Sequence, residues 1–268
     1  MTETYRASAS DGVAWVTGAS SGIGRGTCVE LARRGYTVVA TARRMPDLET
    51  LVAEAEGLAG RIIPAIGDVT DAAGISALVE SIEQQHGEIV LCFLNAGIYF
   101  PLRAAPFDAD GFRKTFDVNV YGVINCLSAI LPRMTARKRG QLAFNASVAG
   151  YGGLPRAGAY SGSKAALIAM AESLKFDTDL LGITLQVVNP GFVETPLTAL
   201  NDHPMPFLMK LDEASRRICD GFEKGGFEIT FPRRFAFILK ALNMLPYSAY
   251  FAVVAKMTGW GEANASKP

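Results

Sequence analysis

Tyr160 and Lys164 stand four residues apart in the run Tyr160-Ser161-Gly162-Ser163-Lys164, a spacing that puts both side chains on one face of a helix. With its ordinary pKa near ~10, a tyrosine is a poor acid or base at neutral pH, and a neighbouring cation that favours phenolate brings it into range. Lys164 fits that part, so the pair can hold and release a proton. Far upstream, Thr17-Gly18-Ala19-Ser20-Ser21-Gly22-Ile23-Gly24 offers a second chemistry. Small glycines let the backbone approach a pyrophosphate, while the unpaired amides and positive dipole end of a following helix attract its charge.

Neither segment is specific alone. A Y-x-x-x-K pair also occurs on ordinary surface helices, and the glycine turn reads G-x-x-x-G-x-G, not the general dinucleotide fingerprint G-x-G-x-x-G. Gly18-Ala19-Ser20-Ser21-Gly22 also satisfies G-x-S-x-G, the nucleophile elbow of α/β-hydrolases, which likewise sits between a strand and a helix. A serine triad needs a histidine base, and the chain has only His86, near a predicted helix end, and His203, in a proline-rich segment. A hydrolase is therefore the weaker alternative. With two histidines and no clustered cysteines, no metal site is expected.

The order of several further motifs is more telling. Asp68-Val69 and Asn95-Ala96-Gly97 each follow a predicted strand, and Asn119 lies in Asp117-Val118-Asn119-Val120. Ser147 stands thirteen residues before Tyr160, and Pro190-Gly191 is followed by Thr195. Together with the glycine turn and the Tyr160–Lys164 pair, these make residues 11–200 resemble the short-chain dehydrogenase/reductase family. The resemblance implies hydride transfer from or to a nicotinamide, with Tyr160 giving a proton to a carbonyl oxygen in reduction and taking it back in oxidation. It implies that Ser147 holds that oxygen, that Lys164 also reaches the cofactor ribose, and that Asn119 shapes its helix and supports a water relay to Lys164. It further assigns Asp68 and Val69 to the adenine, Asn95, Ala96 and Gly97 to a turn beside the ribose, and Thr195 to the carboxamide or phosphate. Pro190, Gly191 and Val193 fall in the segment expected along the nicotinamide. A regulator that keeps the dinucleotide fold without turnover stands as the rival reading, although it has no need of Ser147, Tyr160 and Lys164 together.

Cofactor choice is argued at the end of the second strand, where a carboxylate grips a ribose 2'-hydroxyl and a basic residue accommodates a 2'-phosphate. The chain reads Ala40-Thr41-Ala42-Arg43-Arg44, with no carboxylate before Asp47. Arg43 is therefore expected to face the ribose and to favour NADP(H) over NAD(H). Arg44 is expected to be a solvated neighbour.

The elements that must position these residues alternate along the chain. Strand-like runs at 13–16, 37–42, 62–66, 89–94, 141–145 and 184–188 are separated by helix-like stretches at 25–34, 47–57, 71–86, 108–137 and 158–181. Strands joined by helix-length crossovers require a parallel sheet covered on both faces, so the fold expected is α/β, a doubly wound parallel sheet of Rossmann type. Ligands gather at the carboxyl ends of such strands, where the motifs fall. One domain spans residues 1–268, with about 192–260 as a substrate lid and helical C-terminal extension. Gly261 and the polar residues after it are expected to fray.

The 26 basic and 26 acidic residues cancel, which gives no field for nucleic acid. Cys28, Cys92, Cys126 and Cys219 are scattered and read as buried free thiols. The start lacks an apolar leader, so a cytoplasmic protein is expected, and Asn145-Ala146-Ser147 is not read as a glycosylation site. A homo-oligomer is expected from the resemblance alone. Ile98, Tyr99 and Phe100, Tyr151 within 148–155, Phe192, Val193 and Met205-Pro206-Phe207-Leu208-Met209 suggest an apolar carbonyl or alcohol substrate, the last run acting as a lid. The apolar stretch from Phe235 to Lys256 is broken by Lys240, Asn243 and Pro246, too often for a membrane span. It is read as a pocket cover, a subunit contact, or a peripheral membrane element flanked by Arg233, Arg234 and Lys240.

Overall fold

The computed structural model describes residues 5–200 and 205–261. The chain opens with β1 (Val13–Thr17), α1 (Gly22–Arg33), β2 (Thr37–Ala42), α2 (Met45–Glu54), β3 (Arg61–Ile66), α3 (Ala72–His86) and β4 (Ile89–Leu94). It continues with α4 (Ala109–Phe116), α5 (Gly122–Arg137), β5 (Gly140–Asn145), α6 (Gly158–Leu180) and β6 (Ile183–Pro190). It then adds α7 (Leu211–Lys224), β7 (Glu228–Phe231), α8 (Arg233–Asn243) and α9 (Tyr247–Thr258). Among the described residues, the strands form one parallel sheet in the order β3-β2-β1-β4-β5-β6-β7. The chain moves outward one way from β1 through β2 to β3, then returns to the other side of β1 with β4. That reversal leaves a crevice at the carboxyl ends of β1 and β4.

The sheet is buried on both faces, which is why its inner strands read as unbroken apolar runs. Along β1, Ala14 and Val16 point into one core with Leu31, Val38, Phe93, Ile218 and Phe222. Val13 and Trp15 point into the other with Val39, Cys92, Ile130, Phe144 and Leu167. This period of two fixes which strand-end side chains reach the crevice and which go to the core. Cys28, Cys92, Cys126 and Cys219 are free and buried.

Boundaries differ from expectation in three places. Helix α1 begins at Gly22, inside the glycine turn, because its first amides face the crevice and need no side-chain cap; Ser21 provides none. The stretch 108–137 is not one regular helix: Asp117–Tyr121 forms a π-helical turn between α4 and α5, a local widening that re-aims Asn119. Beyond β6, α7 and β7 extend the sheet past the expected elements. Helix α7 is a conventional amphipathic helix, with Ile218, Cys219 and Phe222 buried and ion pairs Arg216–Asp212 and Arg217–Glu213 outside. The expected fraying after Gly261, like His203, lies outside the described residues.

Candidate active site

Six strand ends and two helices, α1 and α6, build the crevice. At the end of β1, Gly18 has φ +66°, and a Cβ there would lie 2.7 Å from the Ala96 Cα, so only glycine lets the β1 and β4 turns approach. Gly24 has no place on the crevice wall. A Cβ there would meet Asn95 Nδ2 and the Gly18 oxygen, each at 2.4 Å, so Gly24 serves the packing of α1 against the sheet. Asn95 ties the two turns together: its backbone N–H donates to Thr17 Oγ1 at 3.0 Å, and its side-chain amide donates to the Thr17 and Gly18 carbonyls at 2.9 and 3.2 Å.

The wall of this crevice carries Gly18, Ser20, Ser21, Gly22, Ile23, Arg43, Asp68, Val69, Asn95, Ala96, Gly97, Ser147, Tyr160, Lys164, Pro190, Gly191, Val193 and Thr195. Of the catalytic and cofactor-binding residues expected from the sequence, Gly24 and Asn119 alone are absent from it. Asn119 is fully buried behind the wall. Its Oδ1 accepts from the Ile98 N–H at 2.8 Å, and its Nδ2 donates to the Ile98 carbonyl and to Ser163 Oγ, both at 3.0 Å. It therefore clamps the chain after Gly97 to α6, the helix that carries Tyr160 and Lys164.

At the centre, Ser147 follows β5, and its Oγ accepts from the Ala149 N–H at 3.1 Å and shares a hydrogen bond with the Tyr160 phenol. Burial pushes that phenol up to about 12, the Ser147 hydrogen bond draws it down, and Tyr99 adds to the rise. The Tyr99 ring meets the Tyr160 ring edge to face at 5.3 Å. Lys164 is buried, and burial pulls its ammonium down to about 8. Its Nζ donates to the Asn145 carbonyl at 2.7 Å and lies 5.6 Å from the centre of the Tyr160 ring. In the free protein the lowering of the phenol expected from Lys164 is outweighed. Desolvation dominates, and the ammonium faces the ring, held by a backbone oxygen.

Asn145 is the residue the sequence reading missed. It lines the crevice, its carbonyl holds Lys164, and its side-chain amide donates to Asn95 Oδ1 at 2.7 Å. Its place as the last residue of a strand, two before Ser147, was the available signal. Tyr151 departs from expectation in the other direction. It is absent from the crevice wall, and its hydroxyl donates to Glu228 Oε1 at 2.6 Å.

A dinucleotide fits these residues. Ser21 makes no capping bond and the first turn of α1 has no acidic residue, so the α1 amides are open to a pyrophosphate. Thr195 faces this turn: a Cβ on Gly22 would lie 3.2 Å from Thr195 Cγ2. At the adenosine end, Arg43 is exposed on the wall with no ion pair among the described residues, whereas Arg44 is paired with Asp47 at 2.5 Å. Against the upward push of partial burial, the Thr70 N–H and hydroxyl, with Arg43 nearby, hold the Asp68 carboxyl below its ordinary range. Ser20 also lies on the wall, but His86, at the end of α3, does not, so no described histidine serves it as a base. Among the described residues no cluster suited to a metal ion is present.

Residues 12–205 match the short chain dehydrogenase family. The chain is 38% identical over 244 residues to an uncharacterized oxidoreductase of Myxococcus xanthus, covering 91% of this chain and 96% of that protein. It is 35% identical over 186 residues to the 3-oxoacyl-acyl-carrier-protein reductase FabG of Thermotoga maritima, covering 69% of this chain and 76% of the relative. In fold it resembles levodione reductase, with TM-score 0.75 at 23% identity over 82% of this chain and 96% of that one. It also resembles an alcohol dehydrogenase from Thermococcus sibiricus complexed with 5-hydroxy-NADP, with TM-score 0.74 at 23% identity over 82% and 95%. The chain belongs to the short-chain dehydrogenase/reductase family and is an oxidoreductase of the alcohol/carbonyl class that uses a nicotinamide dinucleotide.

Proposed function

We infer that the protein is an NADP(H)-dependent carbonyl reductase acting on an apolar ketone, aldehyde or keto-lipid. The observation that carries this reading is the meeting of Ser147, Tyr160 and Lys164 on one wall of a crevice whose far end presents Arg43. The bound nicotinamide supplies the hydride that the carbonyl carbon receives. Tyr160, protonated at neutral pH, gives its phenolic proton to the carbonyl oxygen, so C=O becomes CH–OH. Ser147 Oγ donates a hydrogen bond to that oxygen and aligns it with the phenol. Lys164 stabilises the phenolate left behind across the ring and binds the ribose. Asn119 acts from behind, holding α6 and the Gly97 turn in register.

Cofactor preference rests on Arg43, which is free to pair with a 2'-phosphate, and on the absence of an unpaired carboxylate at the end of β2. Substrate class rests on the apolar surfaces around the phenol. Ile98, Val193, Pro196 and Leu197 line the crevice. Beyond it, Phe192 stacks on Phe235 at 5.7 Å and Phe207 lies 5.9 Å from the same ring. That aromatic ladder joins the loop after β6 to α8, and it supports residues from about 192 to 260 acting together as lid and extension. A homo-oligomer follows from family membership and is read by light scattering.

Paired equilibrium titrations with NADPH and NADH, followed by nicotinamide fluorescence, test the proposal. Tighter binding of NADPH is expected. Binding of neither by folded protein would remove the reading.

A further inference from the structure

Helices α8 and α9 carry apolar side chains on both of their faces, unlike α7, whose outer face is charged. Phe235 and Ala236 of α8 are buried and Leu239 packs beside them. The opposite side presents Phe237, 77% exposed, and Ala241, also exposed, one turn apart, and the exposed Met244 and Leu245 follow just beyond the helix end. Helix α9 buries Tyr250 and Val254 but exposes Tyr247, Phe251 and Met257, with Trp260 just beyond its end. Tyr247 and Phe251 lie one turn apart with their rings stacked at 5.9 Å. A helix that only covers a core has a polar outside, so this second apolar face needs its own partner.

Charge indicates which partner. From 229 to 261 the sequence contains Arg233, Arg234, Lys240 and Lys256 and no Asp or Glu before Glu262, in a chain whose 26 basic and 26 acidic residues balance overall. Lys240 is paired with Glu228. Arg233, Arg234 and Lys256 are exposed and form no ion pair among the described residues. Aromatic and aliphatic side chains interleaved with unpaired cations match the boundary between headgroups and acyl chains of an anionic bilayer. No helix among the described residues is long and apolar enough to cross a membrane, so the contact is in-plane. A second copy of the chain is the poorer partner. A two-fold contact through this face would bring the exposed, unpaired Arg233, Arg234 and Lys256 of one copy towards those of the other.

We propose that the α8–α9 surface seats the protein on an anionic lipid bilayer, with Phe237, Met244, Tyr247 and Phe251 entering the interface and Arg233, Arg234 and Lys256 meeting lipid phosphates. The seat is tied to the loop that follows Ser147, where the Tyr250 hydroxyl donates to the Gly153 carbonyl at 2.7 Å. It does not depend on the cofactor or the substrate proposed above.

Trp260 provides the reporter, because Trp15, the other tryptophan, is fully buried. Full-length protein is mixed with vesicles of equal parts phosphatidylcholine and phosphatidylglycerol, or of phosphatidylcholine alone, and both sedimentation and tryptophan emission are recorded. Sedimentation with the anionic vesicles, a blue shift lost in Trp260→Phe, and weakening by salt are expected. Tyr247→Glu with Phe251→Glu, and separately Arg233→Glu with Arg234→Glu, are each expected to lower the affinity about tenfold or more. Circular dichroism and NADPH titration check that these surface variants are folded. No sedimentation, or undiminished binding by both double variants, overturns the proposal. Self-association abolished by Phe251→Glu without vesicle binding overturns it in favour of a contact between copies.

Discussion

The Lys164 ammonium meets Tyr160 through the ring face, 5.6 Å from its centre, while its hydrogen bond goes to the Asn145 carbonyl. Burial disfavours the charged form of each residue, and their shifts diverge: the phenol rises to about 12 and the ammonium falls to about 8. The free protein therefore keeps Tyr160 as a proton donor across the neutral range, the form that carbonyl reduction requires.

The depressed Lys164 pKa predicts a pH-dependent stability. In the unfolded chain the lysine keeps its ordinary value of 10.5, so above that pH it is neutral in both states and its burial carries no charge penalty. As pH falls through about 8 the folded lysine takes up its proton, and the stability gained at high pH is lost. Relative to Lys164→Met, the wild type should gain on the order of 2–3 kcal/mol between pH 8 and 10.5. Urea unfolding of both proteins across that window checks it. A difference independent of pH would contradict it.

Arg43→Ala should raise the dissociation constant of NADPH by about 10–100-fold, the loss of one or two charge-assisted hydrogen bonds. NADH, with no 2'-phosphate, should change by less than about twofold. Equal weakening of both in parallel titrations would remove Arg43 from cofactor selection.

Asn119→Ala should destabilise the fold by about 2–4 kcal/mol, because the Ile98 N–H and carbonyl lose the side chain that pairs them and Ser163 Oγ keeps only its bond to the Tyr160 carbonyl. Chemical denaturation measures this directly. Unchanged stability with lost turnover would instead give Asn119 a purely chemical part.

Much of this architecture was legible in the sequence because each parallel strand is buried on both faces and announces itself as an apolar run. The span 89–94 shows this: expected as a strand, it is β4 without a residue's change. The crevice was legible for a related reason. Residues such as Asp68, Asn95 and Ser147 follow strand ends, and the sheet topology brings all strand ends to one edge. Strand β7 was missed because four residues, Glu228–Phe231, are too few to show alternation before Pro232. The π-turn at Asn119 leaves no periodic signature, since one extra residue in a turn hardly disturbs a helical pattern. The balance of pKa shifts at Tyr160 and Lys164 was illegible because it depends on desolvation and on the Asn145 carbonyl, neither of which spacing reveals.

Deuteride transfer from 4-deuterated NADPH to an apolar ketone, compared between the wild type and Tyr160→Phe, tests the central claim most directly. The account predicts labelled alcohol from the wild type, a rate in Tyr160→Phe lower by at least about 10²-fold, and nearly equal NADPH binding by the two. Undiminished transfer by Tyr160→Phe would contradict the role given to the phenol. Tight NADPH binding by the wild type without transfer to any carbonyl would mark the protein as a dinucleotide sensor.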